Sequence, residues 1–375
     1  MDNLNPLIQR LIRPGGVCPG ISIAYGTHKE SRVFQYGTDG TKGVLSDITL
    51  FDLASVTKLF LSIVYMRLLE YGIVDFHRKI SDYTDVYANI GDVTVSELLS
   101  FNVLLKTDRR VDACSSFDEG WQLIHNIEGQ KCKRQVYSDM PAIVLGDLIE
   151  IITGRSFGAW LNELIIKPFN LSNTGWTTDF LLSRPVVSYE GESWLTSLGI
   201  EKIGNRIGRV NDQKAYILSE NMRHLCGHAG LFSSTEDITV FCQNLLNERI
   251  ISRVSMNKMV EGAGWNNNAE QQSFGYMCYR KYLDEIQTEV PLFMSDYAFA
   301  SSGYTECYLF IDPEHDVFVF IGGNRLNSCV SKNNTDIIEK DGCFEVNGVK
   351  YRSSVNYVYQ RDALKNELCK MALIL

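Results

Sequence analysis

Strand-like sequence lies near both ends of the chain with a helical stretch between, and this constrains the fold more than any other feature. Gly20-Ile-Ser-Ile-Ala-Tyr-Gly26 and Ser31-Arg-Val-Phe-Gln-Tyr-Gly37 read as two strands around a polar turn. Glu306-Cys-Tyr-Leu-Phe-Ile311 and Val317-Phe-Val-Phe-Ile321 flank Asp312-Pro-Glu-His-Asp316, a hairpin signal. The expected architecture is therefore α/β (α+β): one sheet built from both termini, with a mainly helical lobe inserted. The α/β lobe is expected over about residues 1–60 plus 230–375 and the helical lobe over about 61–229, as one unit. Single units of this size are ordinary, although a length prior of roughly 150 residues per domain would allow two or three domains.

The helical reading of the middle rests on spacing and end signals. A long helix is expected from near Ser55, with Val56, Leu59, Phe60, Ile63, Val64, Met66 and Leu69 mostly on one face and Gly72 at its end. Residues 95–175 read mainly as helices. Pro141 stands in a first turn, and Leu145, Leu148, Ile149 and Ile152 follow at helical spacing up to Gly154. Ser234-Thr-Glu-Asp237 has the capping-box form. Gly342–Tyr351 reads as a small extra hairpin, and 364–375 as a closing helix.

Composition removes whole classes of function. Hydrophobic residues make up 45% of the 375 and charged residues 22%, which fits a globular chain and not a disordered one. The formal net charge is −9, so a broad electrostatic grip on nucleic acid is not expected, and nucleic acid is not read as a partner. The polar start, Met1-Asp2-Asn3-Leu4-Asn5-Pro6, has no basic n-region, and no apolar run reaches the ~18 residues of a membrane span. Neither a secretory signal nor an anchor is expected in the chain as given, and the location read from it is cytoplasmic. The ten cysteines contain no Cys-x-x-Cys pair, and several interrupt apolar stretches, as buried thiols in a reducing compartment do. No metal or cofactor is expected.

Three short segments can carry chemistry. In Ser55-Val56-Thr57-Lys58, a serine at a helix start and a lysine three residues on share one face, roughly 5–6 Å apart at Cβ. The helix dipole favours an anion at Ser55. A desolvated lysine amine would have a lowered pKa and could take the serine proton; the bland alternative is a capping serine beside a solvated lysine. Tyr137-Ser138-Asp139 lies just ahead of the helix led by Pro141, so Tyr137 and Asp139 can face one cleft. A tyrosinate near ammonium groups can act as a general base. Ser301-Ser302-Gly303-Tyr304 lies beside a strand, where a glycine lets a substrate backbone approach.

Taken in order, these segments resemble the serine β-lactamase and penicillin-binding protein superfamily, nearest its class C-like branch of β-lactamases, esterases and D-Ala-D-Ala carboxypeptidases. Phe51-Asp-Leu-Ala-Ser-Val-Thr-Lys58 is similar to the first family box, and Tyr137-Ser138-Asp139 with Ile143-Val-Leu-Gly146 to the second. Gly303-Tyr-Thr, followed by Ile311–Asp316 and Gly323-Asn-Arg325, is similar to the third box and the strands after it. Gly208–Ala215 and Gly227–Ser234 resemble further family segments. The resemblance implies a β-lactamase/transpeptidase-like fold, with a central antiparallel sheet flanked by helices. It also implies acyl transfer through an acyl-Ser55, with Lys58 and Tyr137 sharing proton transfer. The backbone N–H groups of Ser55 and Tyr304 would form the oxyanion hole, and Asp139 would orient Lys58 or a substrate amide. Ser301, Ser302 and Gly303 would line the substrate site for a small-molecule or peptide-like substrate.

Two departures shape the functional expectation. The third box usually opens with Lys or His, and here Ser301 holds that position, so a cation for a substrate carboxylate is missing. Glu306 stands where the family usually has glycine. The expected activity is therefore an esterase, amidase or carboxypeptidase-like hydrolase, a weak β-lactamase at most. The alternative is a catalytically silent binding protein of the same fold. Gly154-Arg-Ser-Phe-Gly158 has the form Gly-x-Ser-x-Gly, but a helical pattern runs into it where a nucleophile elbow needs a strand. His224 and His228 are four apart, yet Gly227 intervenes and no Glu follows His224, so they are not read as zinc ligands.

Overall fold

The structure is a computed structural model. It describes residues 4–12, 18–41, 43–187, 193–196, 199–202, 207–263, 274–281, 289–327, 330–332, 343–346, 348–352 and 358–375.

A six-stranded antiparallel sheet forms the frame. Its strand order is Ser31–Gly37, Gly20–Gly26, Val317–Gly323, Tyr308–Asp312, Phe299–Ser302, Tyr279–Arg280. The two ends of the chain meet where Gly20–Gly26 pairs with Val317–Gly323, in the register Ile21 to Gly323 through Gly26 to Phe318. The 20–26 and 317–323 strands are buried along their whole length. Such strands read as nearly unbroken apolar runs because both faces are covered. Ile21, Ile23 and Tyr25 join Val319 and Ile321 in a cluster with Leu11, Leu364 and Leu368, on the side of the terminal helices Leu4–Ile12 and Val358–Ala372. On the other side, Ala24, Phe318 and Phe320 join the core that contains Phe241 of the Thr235–Leu246 helix.

Several expected elements are present. The two N-terminal strands, the 308–312/317–323 hairpin and the Cys343–Val346/Val349–Arg352 hairpin all form. Ser234 caps the Thr235–Leu246 helix by accepting from the Asp237 N–H. Met140–Thr153 carries Pro141 in its first turn and ends at Gly154, whose φ of 68° is the left-handed cap geometry glycine allows. That cap, with Ser156 accepting from the Ala159 N–H to start the next helix, disposes of the Gly-x-Ser-x-Gly segment as an elbow.

Two readings need correction. The mainly helical reading of residues 95–175 leaves out one element, since Val103–Lys106 and Glu128–Lys131 pair as antiparallel strands. The second strand, Glu-Gly-Gln-Lys, is exposed at every position and so has no apolar alternation to announce it. The helix after Ser55 is also not one-faced. A short 3-10 turn over Ala54–Val56 leads into Thr57–Glu70, which is buried on almost every side from Thr57 to Met66. A helix surrounded in this way lies inside the molecule. It places Lys58 in the interior.

Candidate active site

The turn before the long buried helix is set by a chain of hydrogen bonds from Asp52. Its Oδ1 accepts from the Ala54 N–H at 2.8 Å and its Oδ2 from the Asn211 N–H at 2.8 Å. The Asp52 carbonyl accepts from Thr305 Oγ1 at 2.6 Å and from Cys307 Sγ at 3.3 Å. Ala54 is held at φ 46°, in the left-handed region that a non-glycine residue enters at a cost of about 1–2 kcal/mol. One carboxylate therefore ties together the Ser55 turn and the 211 segment, while the same residue's carbonyl ties in the 305–307 strand start.

Lys58 lies one helical turn beyond Ser55 and is 1% exposed. Its ammonium donates to Ser55 Oγ at 2.9 Å, Asp139 Oδ1 at 2.8 Å and the His228 carbonyl at 3.2 Å. A lysine ammonium has three protons, and these three acceptors use them all. Burial works to lower the Lys58 pKa, but Asp139 and Tyr137 together outweigh it, and the amine sits above its ordinary value. This corrects the expectation of a lowered lysine pKa: desolvation is present, but the carboxylate beside it wins. The Asp139 carboxyl is opposed by burial, yet Lys58, His228 and Lys214 hold it well below the usual carboxylate range.

The network runs on past Asp139. Asp139 Oδ2 pairs with Lys214 at 3.1 Å, and Lys214 pairs with Asp212 Oδ2 at 3.0 Å. Asp212 Oδ1 lies 3.1 Å from His228 Nε2. A carboxylate can only accept, so His228 carries its proton on Nε2. The His228 ring is buried, and its Nδ1 has no hydrogen-bond partner among the described residues. Asp139, Asp212 and His228 place one ligand atom each within 4.8 Å of one another, a spacing that would suit a cation. The positive charge there is supplied by the Lys58 and Lys214 ammoniums. Sequence reasoning missed Asp52, Asp212, Lys214 and His228 as site residues. The signal within reach was that the Gly208–Ala215 and Gly227–Ser234 segments already carried the resemblance.

The third segment comes in from the sheet. Tyr279–Arg280 pairs with Phe299 and Ala300 in the sheet, ahead of Ser301–Gly303. Ser301 Oγ donates to the Ser55 carbonyl at 3.5 Å. Gly303 packs so closely on the Ser55 turn that a Cβ there would lie 2.5 Å from the Leu53 carbonyl oxygen, which accounts for the glycine. Tyr304 is half-exposed, with its ring 4.4 Å from the Arg325 guanidinium. Glu306 takes a φ of 85°, in the left-handed region that favours glycine, and its buried carboxylate lies 3.8 Å from Arg325. Its charge is thus met by Arg325.

Tyr137 stands over Lys58, with the ammonium 5.2 Å from its ring centre. Its ring also stacks with those of Phe274 and Tyr279 at 5.5 and 6.1 Å and meets the Phe101 ring at a tilt, 5.1 Å away. The structure therefore brings Ser55, Lys58, Tyr137, Asp139 and Ser301 together, with Ser302 and Gly303 beside them. His224 faces Glu220, away from His228, whose ring meets Asp212. A separate cavity of 730 Å³, lined in part by His224 and Gly227, includes none of Ser55, Lys58, Tyr137, Asp139 and Ser301 in its lining.

Other features bear on the remaining expectations. Cys114, Cys226, Cys242, Cys278, Cys307 and Cys369 are buried thiols, and burial pushes the Cys278 and Cys307 thiols up to about 12. Among the described residues, no helix is long and apolar enough to cross a membrane.

Comparisons with known proteins place the chain in a family and a fold. The Beta-lactamase family model matches residues 8–340. A candidate D-alanyl-D-alanine carboxypeptidase of Escherichia coli (strain K12) is 25% identical over 312 residues, covering 76% of this chain and 70% of that protein. The octameric penicillin-binding protein homologue from Pyrococcus abyssi superposes with a TM-score of 0.66 at 16% identity, covering 86% of this chain and 73% of that one. EstCE1, a hydrolase with promiscuous acyltransferase activity, superposes with a TM-score of 0.65 at 17% identity, covering 86% and 93%. The central antiparallel sheet built from both ends of the chain is the β-lactamase/transpeptidase fold, and the chain belongs to the beta-lactamase family.

Proposed function

We propose that the protein is a serine acyl hydrolase that works through an acyl-Ser55 intermediate on neutral esters or amides. The observation that carries this reading is the 2.9 Å contact between Ser55 Oγ and a buried, fully coordinated Lys58 ammonium. A positive charge at that distance lowers the cost of a Ser55 alkoxide, most strongly where water is excluded. Because Lys58 rests protonated, Tyr137 relays the proton: its phenol oxygen takes the proton of Ser55 as its own O–H proton moves on towards the leaving group. Ser55 Oγ attacks the substrate carbonyl, the backbone N–H groups of Ser55 and Tyr304 receive the developing oxyanion, and the bond from the acyl carbon to the leaving group breaks as that group takes the proton relayed by Tyr137. Water then attacks the acyl-serine and frees the acid. Asp139 aims Lys58, and Ser301 to Gly303 form the rim against which the substrate lies.

The preference for neutral substrates follows from Ser301. This residue brings no charge, and its hydroxyl is engaged by the Ser55 carbonyl. A substrate carboxylate therefore meets no cation from the third segment. A p-nitrophenyl acyl ester is expected to turn over at least 100-fold faster than a chromogenic cephalosporin, judged by kcat/KM. Ser301→Lys should raise acylation by the cephalosporin about tenfold or more, the value of one charge-assisted contact to a carboxylate. Faster turnover of the cephalosporin by the unaltered protein would contradict the reading.

A further inference from the structure

The contacts around Lys58 close into a ring. Lys58 donates to Asp139, Asp139 pairs with Lys214, Lys214 with Asp212, and Asp212 accepts from the His228 ring. The His228 carbonyl then accepts from Lys58. Both fixed ends of the Lys58 ammonium, apart from Ser55 itself, are thus anchored through one set of residues. Asp139 is a carboxylate bridging two ammoniums, one oxygen to each.

We infer that Lys214, braced by Asp212 and His228, is a positioning residue that tunes and aims Lys58 through Asp139. This rests on the acyl-Ser55 reading above. The physical argument is charge balance. Two ammoniums face two carboxylates inside the protein, so Asp139 is shared and does not grip Lys58 alone. Without Lys214, Asp139 loses the partner on Oδ2 and is free to rotate, and Lys58 faces two carboxylates as the sole ammonium. The groups around Lys58 are Ser55 from the turn, Tyr137 and Asp139 from the loop before Met140–Thr153, and the carbonyl of His228. Asp212 and Lys214 stand one contact further out. Removing a positive charge from this set raises the cost of the negative charge that develops at Ser55 and Tyr137. A step that needs the Ser55 proton to leave then requires a higher pH.

The test is the rate of Ser55 labelling by a fluorophosphonate between pH 5 and 10, which needs no knowledge of the substrate. Lys214→Met and Lys214→Gln should label about 10- to 100-fold more slowly at pH 7, with the acidic limb of the profile displaced upward by about one pH unit, the order expected for one nearby charge. Lys214→Arg keeps the charge and should label within about threefold of the unaltered protein, with the limb near its original place. Asp212→Asn, which loosens the brace but keeps Lys214, should give a smaller slowing. If Lys214→Met fails to fold, Lys214→Gln and Lys214→Arg still separate charge from packing. Folded charge-removing variants with the original rate and profile would overturn the inference, as would equal slowing by Lys214→Arg and Lys214→Gln. Ser55→Ala keeps the two readings apart. If that variant labels like the unaltered protein, the acyl-Ser55 reading fails; if it does not label while Lys214→Met is unaffected, only the role of Lys214 fails.

Discussion

Lys58→Met is expected to slow acylation of Ser55 by about a thousandfold or more and to destabilise the fold at the same time. The rate loss combines two effects. The charge that favours the Ser55 alkoxide disappears, and the hydrogen bond that fixes the hydroxyl goes with it. Terms of this kind are each worth about 10²–10⁴ in well-studied enzymes. The stability loss has a separate origin. With Lys58 gone, the partly buried carboxylates Asp139 and Asp212 share the single ammonium of Lys214. Breaking a fully buried pair by removing one partner costs about 3–5 kcal/mol, and the partial exposure of Asp139 places the loss here below that range. The two effects separate in the double variant Lys58→Met/Asp139→Asn. Neutralising Asp139 restores the charge balance, so most of the lost stability should return while acylation stays slow. Thermal unfolding and labelling rate, measured on both variants, check this. A Lys58→Met protein that labels within tenfold of the original would remove Lys58 from the mechanism.

Asp52→Ala is the second change with a large expected effect, and it acts on the backbone. The Asp52 carboxylate accepts from Ala54 and Asn211, both buried. Its loss leaves two buried N–H groups without their acceptor, at about 1–3 kcal/mol each. It also removes the bond that holds Ala54 at a positive φ. Relaxation of Ala54 would swing Ser55 away from Lys58, so labelling should fall at least tenfold even in the folded fraction. Asp52→Asn keeps one accepting oxygen and should fall between the two proteins in both stability and rate. An Asp52→Ala protein with the original unfolding midpoint and labelling rate would show that the turn is held by other means.

The parts of this account that were legible in the sequence are those in which function depends on neighbours in the chain. Ser55 and Lys58 lie three apart at a helix start, and Tyr137 and Asp139 two apart before another, so spacing alone brought each pair to one face. The frame was legible for a similar reason: strands covered on both faces, such as Gly20–Gly26 and Val317–Gly323, read as apolar runs. The remainder depends on long-range meeting. Lys58 pairs with Asp139 across 81 positions, and its third acceptor, His228, lies 170 positions away. No local pattern marks Lys214 as the second ammonium or Asp52 as the anchor of the turn. The sign of the Lys58 shift was equally out of reach, because it is the difference between burial and a carboxylate that only the fold supplies. The hairpin over 103–106 and 128–131 was missed because its outer strand is wholly solvated.

The central claim is that Ser55 is an activated nucleophile. The most direct measurement is the intact mass of the protein after incubation with a fluorophosphonate, with Ser55→Ala treated in parallel. One adduct on the unaltered protein, absent from a folded Ser55→Ala protein, is the predicted result. A folded, unaltered protein that gains no adduct, or a Ser55→Ala protein that gains the same one, would contradict it.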